Sequence, residues 1–353
     1  TFSSTRPEFT IGMFKSHAER VRAYIEDPSI GLRRVESVLD AAHALSLQCR
    51  RNLAVRRLDR KAQEERALRA AQPPPDPYRT IHPKREYEEP DLRRVPLEPD
   101  EDVLLFIRDH NPFLAPWERD LLTIVHEEAQ YFIPQIETKI MNEGWASFWH
   151  YQIMNALELP EDMRLEFLVH HHRVLQPHPG GLNPYHLGFT IWKHIYESHG
   201  GEGGDLRRPS AGRDALFAVR ESERDRSFLR RFLSEQLIRE LGLFEYAEKN
   251  RDIVVTEVAD DEGWEKIRDS LLRSVGMAAV PVIKVLDSDF EGSRALLLGH
   301  EYDGRELDLE HAEKTLGFTY RLWGRPVLLD TVIEGTPCYL VFNDEGLSQR
   351  KKG

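Results

Sequence analysis

The runs PVLLDTVI at residues 326–333 and PCYLVFND at residues 337–344 decide the fold class of this chain. Each run is short, rich in β-branched residues and bounded by Gly, Asp or Pro, which is the pattern of a β-strand. Upstream lie three more runs of this kind, IVVTEV, VPVIKVLD and ALLLGHEY, and one helical stretch, LEHAEKTLGFTYRLW. Residues 251–353 are therefore predicted to form a small α+β module with a largely antiparallel sheet.

The sequence before this module is mainly helical. Apolar residues recur at helical spacing within residues 1–70, and Asp27-Pro28-Ser29 is predicted to break that helical segment. Residues 71–102 contain PPP and several further prolines, which favours a semi-rigid linker. Residues 103–250 hold further helical runs and most of the histidines. The predicted fold class is therefore α+β, with a mainly helical N-terminal and central part before the C-terminal module.

The composition describes an acidic chain that can build a core. Of its 353 residues 40% are hydrophobic, yet no apolar run reaches the length of about 18 residues that spans a membrane. Lys and Arg total 48 against 60 Asp and Glu, so the net charge is −12 and dedicated nucleic-acid binding is not expected. The two cysteines, Cys49 and Cys338, lack CxxC spacing. We therefore expect no disulfide framework and a cytoplasmic location.

A pattern related to zinc sites begins at His126-Glu127-Glu128-Ala129-Gln130. In gluzincins, HExxH on one helix and a glutamate on the next bind zinc, and NEGWAS at residues 142–147 is close to the second stretch of zinc aminopeptidases. Here Gln130 replaces the second histidine, and Glu143 follows too soon for the usual spacing. The zincin motif is therefore not met.

The same two segments still offer three metal ligands. Glu143 and His150 are seven residues apart, which is two helical turns, so they share one face of a helix. With His126 from the preceding helix they make a set of two histidines and one carboxylate, which suits zinc, iron or manganese. Glu127 is then the candidate general base. The alternative is structural, because aromatic neighbours indicate a buried helix on which Glu143 pairs with His150 or an arginine.

A second group of histidines follows. Five histidines fall within residues 170–186, and consecutive members of the triplet at 170–172 cannot all face inward. His178 and His186 flank a Gly-Gly and Asn-Pro turn, where loops commonly present functional groups, so both are candidates to assist catalysis. The alternative is a set of surface histidines. Neither a phosphate-binding glycine loop nor GxSxG occurs, so no nucleotide cofactor and no serine nucleophile are expected.

Four long phrases of the sequence resemble one protein family. They are MNEGWASFWHYQIMN, LNPYHLGFTIWKHI, AVRESERDRSFLRRFLSEQLIRELGLFEY and GHEYDGRELDLEHAEKTLGFTYRLWGRPVLLDTV. They are similar to the SpoVR family, the stage V sporulation protein R group, over nearly all of the chain. The resemblance implies a cytoplasmic protein linked to spore-cortex formation, or to stationary-phase or stress physiology in bacteria that do not sporulate. It also implies a serine-kinase-like AAA protein as a candidate partner, and an N-terminal portion of the family that precedes TFSSTRPEF and is missing here.

Two hypotheses follow for the function. The first is a metal-dependent hydrolase of cell-envelope metabolism, with the three metal ligands named above and Glu127 as general base, assisted by His178 or His186. The second is a non-enzymatic scaffold or regulatory partner in which these groups are structural. An enzyme requires inward-facing site groups beside a cavity, whereas a scaffold exposes an apolar patch. The sequence leaves the oligomeric state open.

Overall fold

The computed structural model of this chain describes residues 7–50, 58–71, 90–177, 181–201, 210–243, 245–249, 252–257 and 263–352. Its helices are α1 (Pro7–Glu26), α2 (Leu32–Ala44), α3 (Arg60–Ala70), α4 (Val103–His110), α5 (Pro116–Ile136), α6 (Lys139–Ala156), α7 (Glu161–Leu175), α8 (Pro184–Ser198), α9 (Ala211–Ser222), α10 (Asp225–Phe232), α11 (Glu235–Glu240), α12 (Gly263–Ser274) and α13 (Leu309–Trp323). Its strands are β1 (Glu245–Lys249), β2 (Asp252–Glu257), β3 (Ile283–Phe290), β4 (Ala295–His300), β5 (Val327–Ile333), β6 (Thr336–Asn343) and β7 (Gly346–Lys351). These elements confirm the predicted α+β fold class. None of the helices described here is long and apolar enough to cross a membrane.

The chain forms two compact units. The first, the helical unit, lies within Phe132–Val280, and the second, the sheet unit, combines Arg6–Tyr131 with Pro281–Gly353. The sheet unit therefore unites helices from the first part of the chain with strands from its end. The β1–β2 hairpin belongs to the helical unit, and its strands pair antiparallel with each other.

The sheet of the sheet unit has five strands in the order β3-β4-β5-β6-β7. Three of its strand pairs are antiparallel, and β4 and β5 are parallel. Parallel neighbours need a crossover connection, and α13 lies between β4 and β5 in the chain. The sheet is thus largely antiparallel, as predicted. Strand β7, GLSQRK, was not predicted, because it is a polar and mostly exposed edge strand without β-branched residues.

The central strands β4 and β5 are buried on both faces. One face packs on the helices of the same unit and shares a core with them; its fully buried members include Val285, Leu296, Val327, Val35 and Phe106. The other face forms a smaller cluster around Ala295, Leu297 and Leu328. A strand buried on both faces reads as a continuous apolar run, which explains the sequence ALLL at the start of β4.

The predicted break after the first helix is confirmed. Helix α1 ends at Glu26, and the Asp27 carboxylate accepts the backbone N–H of Ser29 at 2.8 Å. Gly31 then adopts φ 78°, a conformation that residues with a side chain rarely adopt, and α2 begins at the next residue. The short turn lets α1 and α2 fold back against each other within the sheet unit.

The helical unit is built around the contact between α6 and α8. Gly144 and Gly188 meet there, so that a Cβ on Gly144 would lie 2.7 Å from the backbone nitrogen of Phe189 and closer still to the Gly188 backbone. The absence of both side chains lets the two helix backbones touch. Large side chains fill the space around this contact, among them the fully buried Trp192 and Phe228.

Candidate functional site

Asn183 fixes the end of α7 against the start of α8. Its side chain is buried, and the residue is only 5% exposed. Its amide nitrogen donates to the carbonyl oxygens of Val174 and Gln176, each at 2.9 Å. Its Oδ1 accepts the backbone N–H of Tyr185 at 3.0 Å, as the N-cap of α8. The last turn of α7 and the first turn of α8 are therefore held side by side.

A cleft of about 550 Å³ opens beside these two helix ends, with the last residue of α11 on its wall. We call it the histidine cleft, and its ionisable lining residues are His172, Arg173, His186, Lys193 and Glu240. Its volume falls in the range of about 300–1,000 Å³ that is usual for sites of small molecules. Among the described lining residues, two basic side chains and two imidazoles face a single carboxylate, so this part of the lining is basic although the chain is acidic.

His186 is half-buried in the first turn of α8. Burial lowers the pKa of its imidazole, and the carboxylate of Glu240 opposes that shift only in part. The ring is therefore uncharged at neutral pH and is able to accept a proton, which is what a general base requires. The sequence predicted His186 as a catalytic residue; its position on the cleft agrees with that role, which stays a prediction.

His172 contributes the second imidazole of the cleft. Its Nδ1 lies 2.7 Å from the backbone carbonyl oxygen of Leu168, one turn earlier in α7. A carbonyl oxygen can only accept, so Nδ1 carries the proton and donates it. The lone pair of the uncharged ring is then on Nε2, and His172 offers an acceptor nitrogen whose tautomer is fixed by its own helix.

His171 is the inward-facing member of the histidine triplet, being only 6% exposed. Its ring packs among those of Tyr151, Phe167 and Phe189, at centroid distances of 5.0, 5.6 and 5.2 Å. Burial, reinforced by two neighbouring imidazoles, lowers the pKa of His171. Its Nε2 has no hydrogen-bond partner among the described residues. His171 therefore anchors α7 as an uncharged aromatic group rather than as a catalytic one.

Glu143 and His150 lie on α6 of the helical unit, as the predicted spacing required. The Glu143 carboxylate accepts a hydrogen bond from the side chain of Tyr185, which raises the pKa of that phenol. His150 is exposed, and its ring meets the edge of Phe167 at a centroid distance of 5.2 Å. Each of the two therefore has its own neighbour in the helical unit.

His126 lies in the sheet unit, on α5. Its Nε2 is 2.9 Å from a carboxylate oxygen of Asp102. The other oxygen of this buried aspartate accepts the backbone N–H of Leu105 at 3.0 Å and so caps α4. His126 thus has a carboxylate partner that the sequence analysis did not identify. No described group of three His, Cys, Asp or Glu side chains is arranged to hold a metal ion.

Glu127 belongs to a polar cluster between α1 and α5 that the sequence analysis also missed. The ring of His17, 3% exposed, lies between two carboxylates, with Nε2 at 3.0 Å from Glu127 and Nδ1 at 3.0 Å from Glu128. Further along, Arg20 donates to Asp120 at 3.0 Å. A sequence signal for this cluster was present. His17 and Arg20 are three residues apart on one helix, and Asp120 is seven and eight residues before Glu127 and Glu128 on the other, so each set shares one helix face. His178, the remaining predicted site residue, lies outside the described residues.

Comparison with known proteins identifies relatives over nearly the whole chain. A family model described as "SpoVR like protein" matches residues 1–280, and one described as "SpoVR-like C-terminal domain" matches residues 281–334. The uncharacterized protein YcgB of Escherichia coli (strain K12) is 34% identical in an alignment of 335 residues, which covers 85% of this chain and 64% of that protein. The chain thus spans less than two thirds of the length of this relative. No solved structure matches.

Proposed function

We propose that this chain, which belongs to the SpoVR family, is a hydrolase whose active site is the histidine cleft. The family name points to sporulation, and the proposed setting is spore-cortex formation, or stationary-phase or stress physiology. There the protein acts on a precursor of the cell envelope. The observation that carries the proposal is the presence of two imidazoles, His172 and His186, on the wall of a cleft that suits a small molecule.

In the proposed reaction His186 takes a proton from the water molecule that attacks the substrate. A half-buried imidazole is suited to this step, because burial lowers its pKa and so favours the uncharged ring that accepts a proton. Arg173 and Lys193 supply positive charge to the oxygen on which negative charge develops. His172 accepts a hydrogen bond from the substrate through Nε2, since its Nδ1 is committed to Leu168.

Replacing His186 by glutamine tests the catalytic role. We expect hydrolysis to fall about 10²–10⁴-fold, the usual contribution of a general base, while the circular dichroism spectrum is unchanged. The assay measures release of nitrophenol from nitrophenyl acetate, phosphate and glycosides. His170→Gln is the matched control, because His170 lies on α7 with its side chain 65% exposed and does not line the cleft. Hydrolysis that is equal in the two variants would contradict the proposal.

The metal set predicted from the sequence remains a separate proposal. His126, Glu143 and His150 each have another neighbour, and the steps proposed for the histidine cleft use no metal. Elemental analysis of the untagged protein, alongside His126→Ala and Glu143→Ala, tests it. Stoichiometric zinc, iron or manganese that both substitutions abolish would support the set. If the protein contains no metal after reconstitution and hydrolysis is unchanged, the metal set is contradicted and the histidine cleft acts without a metal.

The second candidate function is a scaffold or regulatory partner, and one observation favours it. Apolar side chains are exposed at the end of α6 and along α7, namely Ile153, Leu157, Met163, Leu165 and Val169. Helix α7 buries only Phe167 and His171, so much of its apolar surface is uncovered by the described residues. The proposed partner is the serine-kinase-like AAA protein. Two results together would support the scaffold. The wild type would hydrolyse none of the nitrophenyl probes, and the Leu165→Asp variant would bind this purified partner less well than the wild type does.

A further inference from the structure

The charge of the histidine cleft is opposite in sign to that of the chain. The whole sequence carries a formal charge of −12. Among the residues that the structure describes around the cleft, Arg173 and Lys193 outnumber the one carboxylate, Glu240, and two imidazoles add positive charge when protonated. Because cationic groups repel one another, gathering them in one concavity costs free energy unless an anion offsets the charge.

Arg173 is the most informative of these groups. Some arginines of the helical unit have carboxylate partners, for example Arg224 with Glu137 and Arg231 with Glu223. Within the part of the chain that the structure describes, the guanidinium of Arg173 has no such partner. Arg173 lies in the last turn of α7, where its positive charge interacts favourably with the helix dipole. This interaction does not provide hydrogen-bond acceptors for the N–H donors of the guanidinium.

Lys193 enters the cleft from α8 and is only loosely held. Its ammonium lies 3.8 Å from the carboxylate of Glu197, and the two side chains are 51% and 56% exposed. An exposed pair at this spacing contributes little to stability, so a ligand can compete for the ammonium. Arg173 and Lys193 thus approach the same cleft from two helices that Asn183 holds together.

We infer that the histidine cleft binds the phosphate group of a small phosphorylated molecule, with Arg173 and Lys193 as its cationic contacts. This inference rests on the proposed function, for which it names the substrate class. A phosphate offers several oxygens and up to two negative charges, and arginine matches that geometry with paired hydrogen bonds. A carboxylate would offset fewer of the positive charges that the cleft presents. The remaining volume accommodates the organic part of the molecule.

Isothermal titration of the purified chain with inorganic phosphate and pyrophosphate tests the inference, at an ionic strength held constant with sodium chloride. Arg173→Gln should weaken binding about 10–100-fold, the usual effect of losing a charged hydrogen-bond partner. Arg164→Gln is the matched control, because Arg164 is an exposed arginine in the first turn of the same helix and does not line the cleft.

The two proposals fail in different ways. If neither anion binds above the chloride baseline, or if Arg164→Gln weakens binding as much as Arg173→Gln, the phosphate inference is wrong. If the phosphate inference fails in this way, but nitrophenyl acetate is still hydrolysed and His186→Gln abolishes the reaction, the proposed active site stands without the phosphate inference. Saturable phosphate binding that Arg173→Gln weakens and Arg164→Gln does not supports the inference even where no nitrophenyl probe is hydrolysed.

Discussion

Replacing Gly144 by alanine is expected to lower the unfolding free energy of the helical unit by at least about 4 kcal/mol. The new Cβ would come within 2.7 Å of the Phe189 nitrogen and still nearer to the backbone of Gly188. No side-chain movement relieves a clash with backbone atoms, so α6 and α8 must separate and uncover the core around Trp192. Thermal unfolding followed by circular dichroism should show a midpoint about 10 °C lower or more.

Gly12→Ala is the control for this substitution. Gly12 lies inside α1, and apart from its own helix no described atom lies within 4 Å of the position of its Cβ. Alanine is the better helix former, so this variant should be unchanged or stabler by up to about 1 kcal/mol. Gly188→Ala should resemble Gly144→Ala, because its Cβ would lie 2.7 Å from the Gly144 Cα. A Gly144→Ala protein that unfolds within 2 °C of the wild type, about the effect of a minor surface change, would contradict the close approach of α6 and α8.

Asp225→Ala is expected to cost the helical unit about 3–4 kcal/mol. Asp225 is 1% exposed, and its carboxylate accepts the backbone N–H groups of Ile140 and Met141, each at 2.9 Å. These are orphan donors in the first turn of α6, and alanine would leave them buried without a partner. Urea unfolding measures the loss. Asp214→Ala is the control, because Asp214 is also an aspartate in the first turn of a helix of this unit and makes no buried cap.

The same aspartate should make stability depend on pH. Burial raises its pKa from 3.8 to about 6, although the backbone N–H groups act in the opposite direction. The folded state therefore binds the proton more tightly than the unfolded state. The stability that this carboxyl group contributes through its raised pKa is fully present below about pH 4. It is lost as the pH rises through 6, and the total loss is about 3 kcal/mol. The difference in unfolding free energy between the wild type and Asp225→Asn should fall over this range; a constant difference would show an unperturbed carboxyl group.

The secondary structure was largely predictable because periodicity is a local property of the sequence. The β-branched runs at residues 327–333 and 336–343 form strands, and the break after Glu26 falls at a residue that caps a turn. Strands β1 and β7 escaped prediction, since EYAEK and GLSQRK lack β-branched residues and receive their pairing from a neighbouring strand. The family relationship was predicted from long phrases and is confirmed by the matches to residues 1–334.

The site was less predictable, because its groups meet only through tertiary contacts. His186 was selected from its turn, but Arg173 and Glu240 have no local pattern that joins them to it. The pairs His126–Asp102 and His17–Glu127 are separated by 24 and 110 residues. Helical spacing identifies which side chains share a face, and it cannot identify the face they meet. The catalytic roles and the metal set therefore stay predictions.

The division of the sheet unit between both ends of the chain sets the order in which it can form during synthesis. Helices α1, α2 and α4 leave the ribosome long before the strands that cover them, and the whole helical unit is made in between. Until residue 281 and its successors emerge, apolar side chains such as Val35 and Phe106 have no sheet to pack against. The boundary between the two family matches thus separates segments that share one core, and a fragment ending at residue 280 keeps only part of that core.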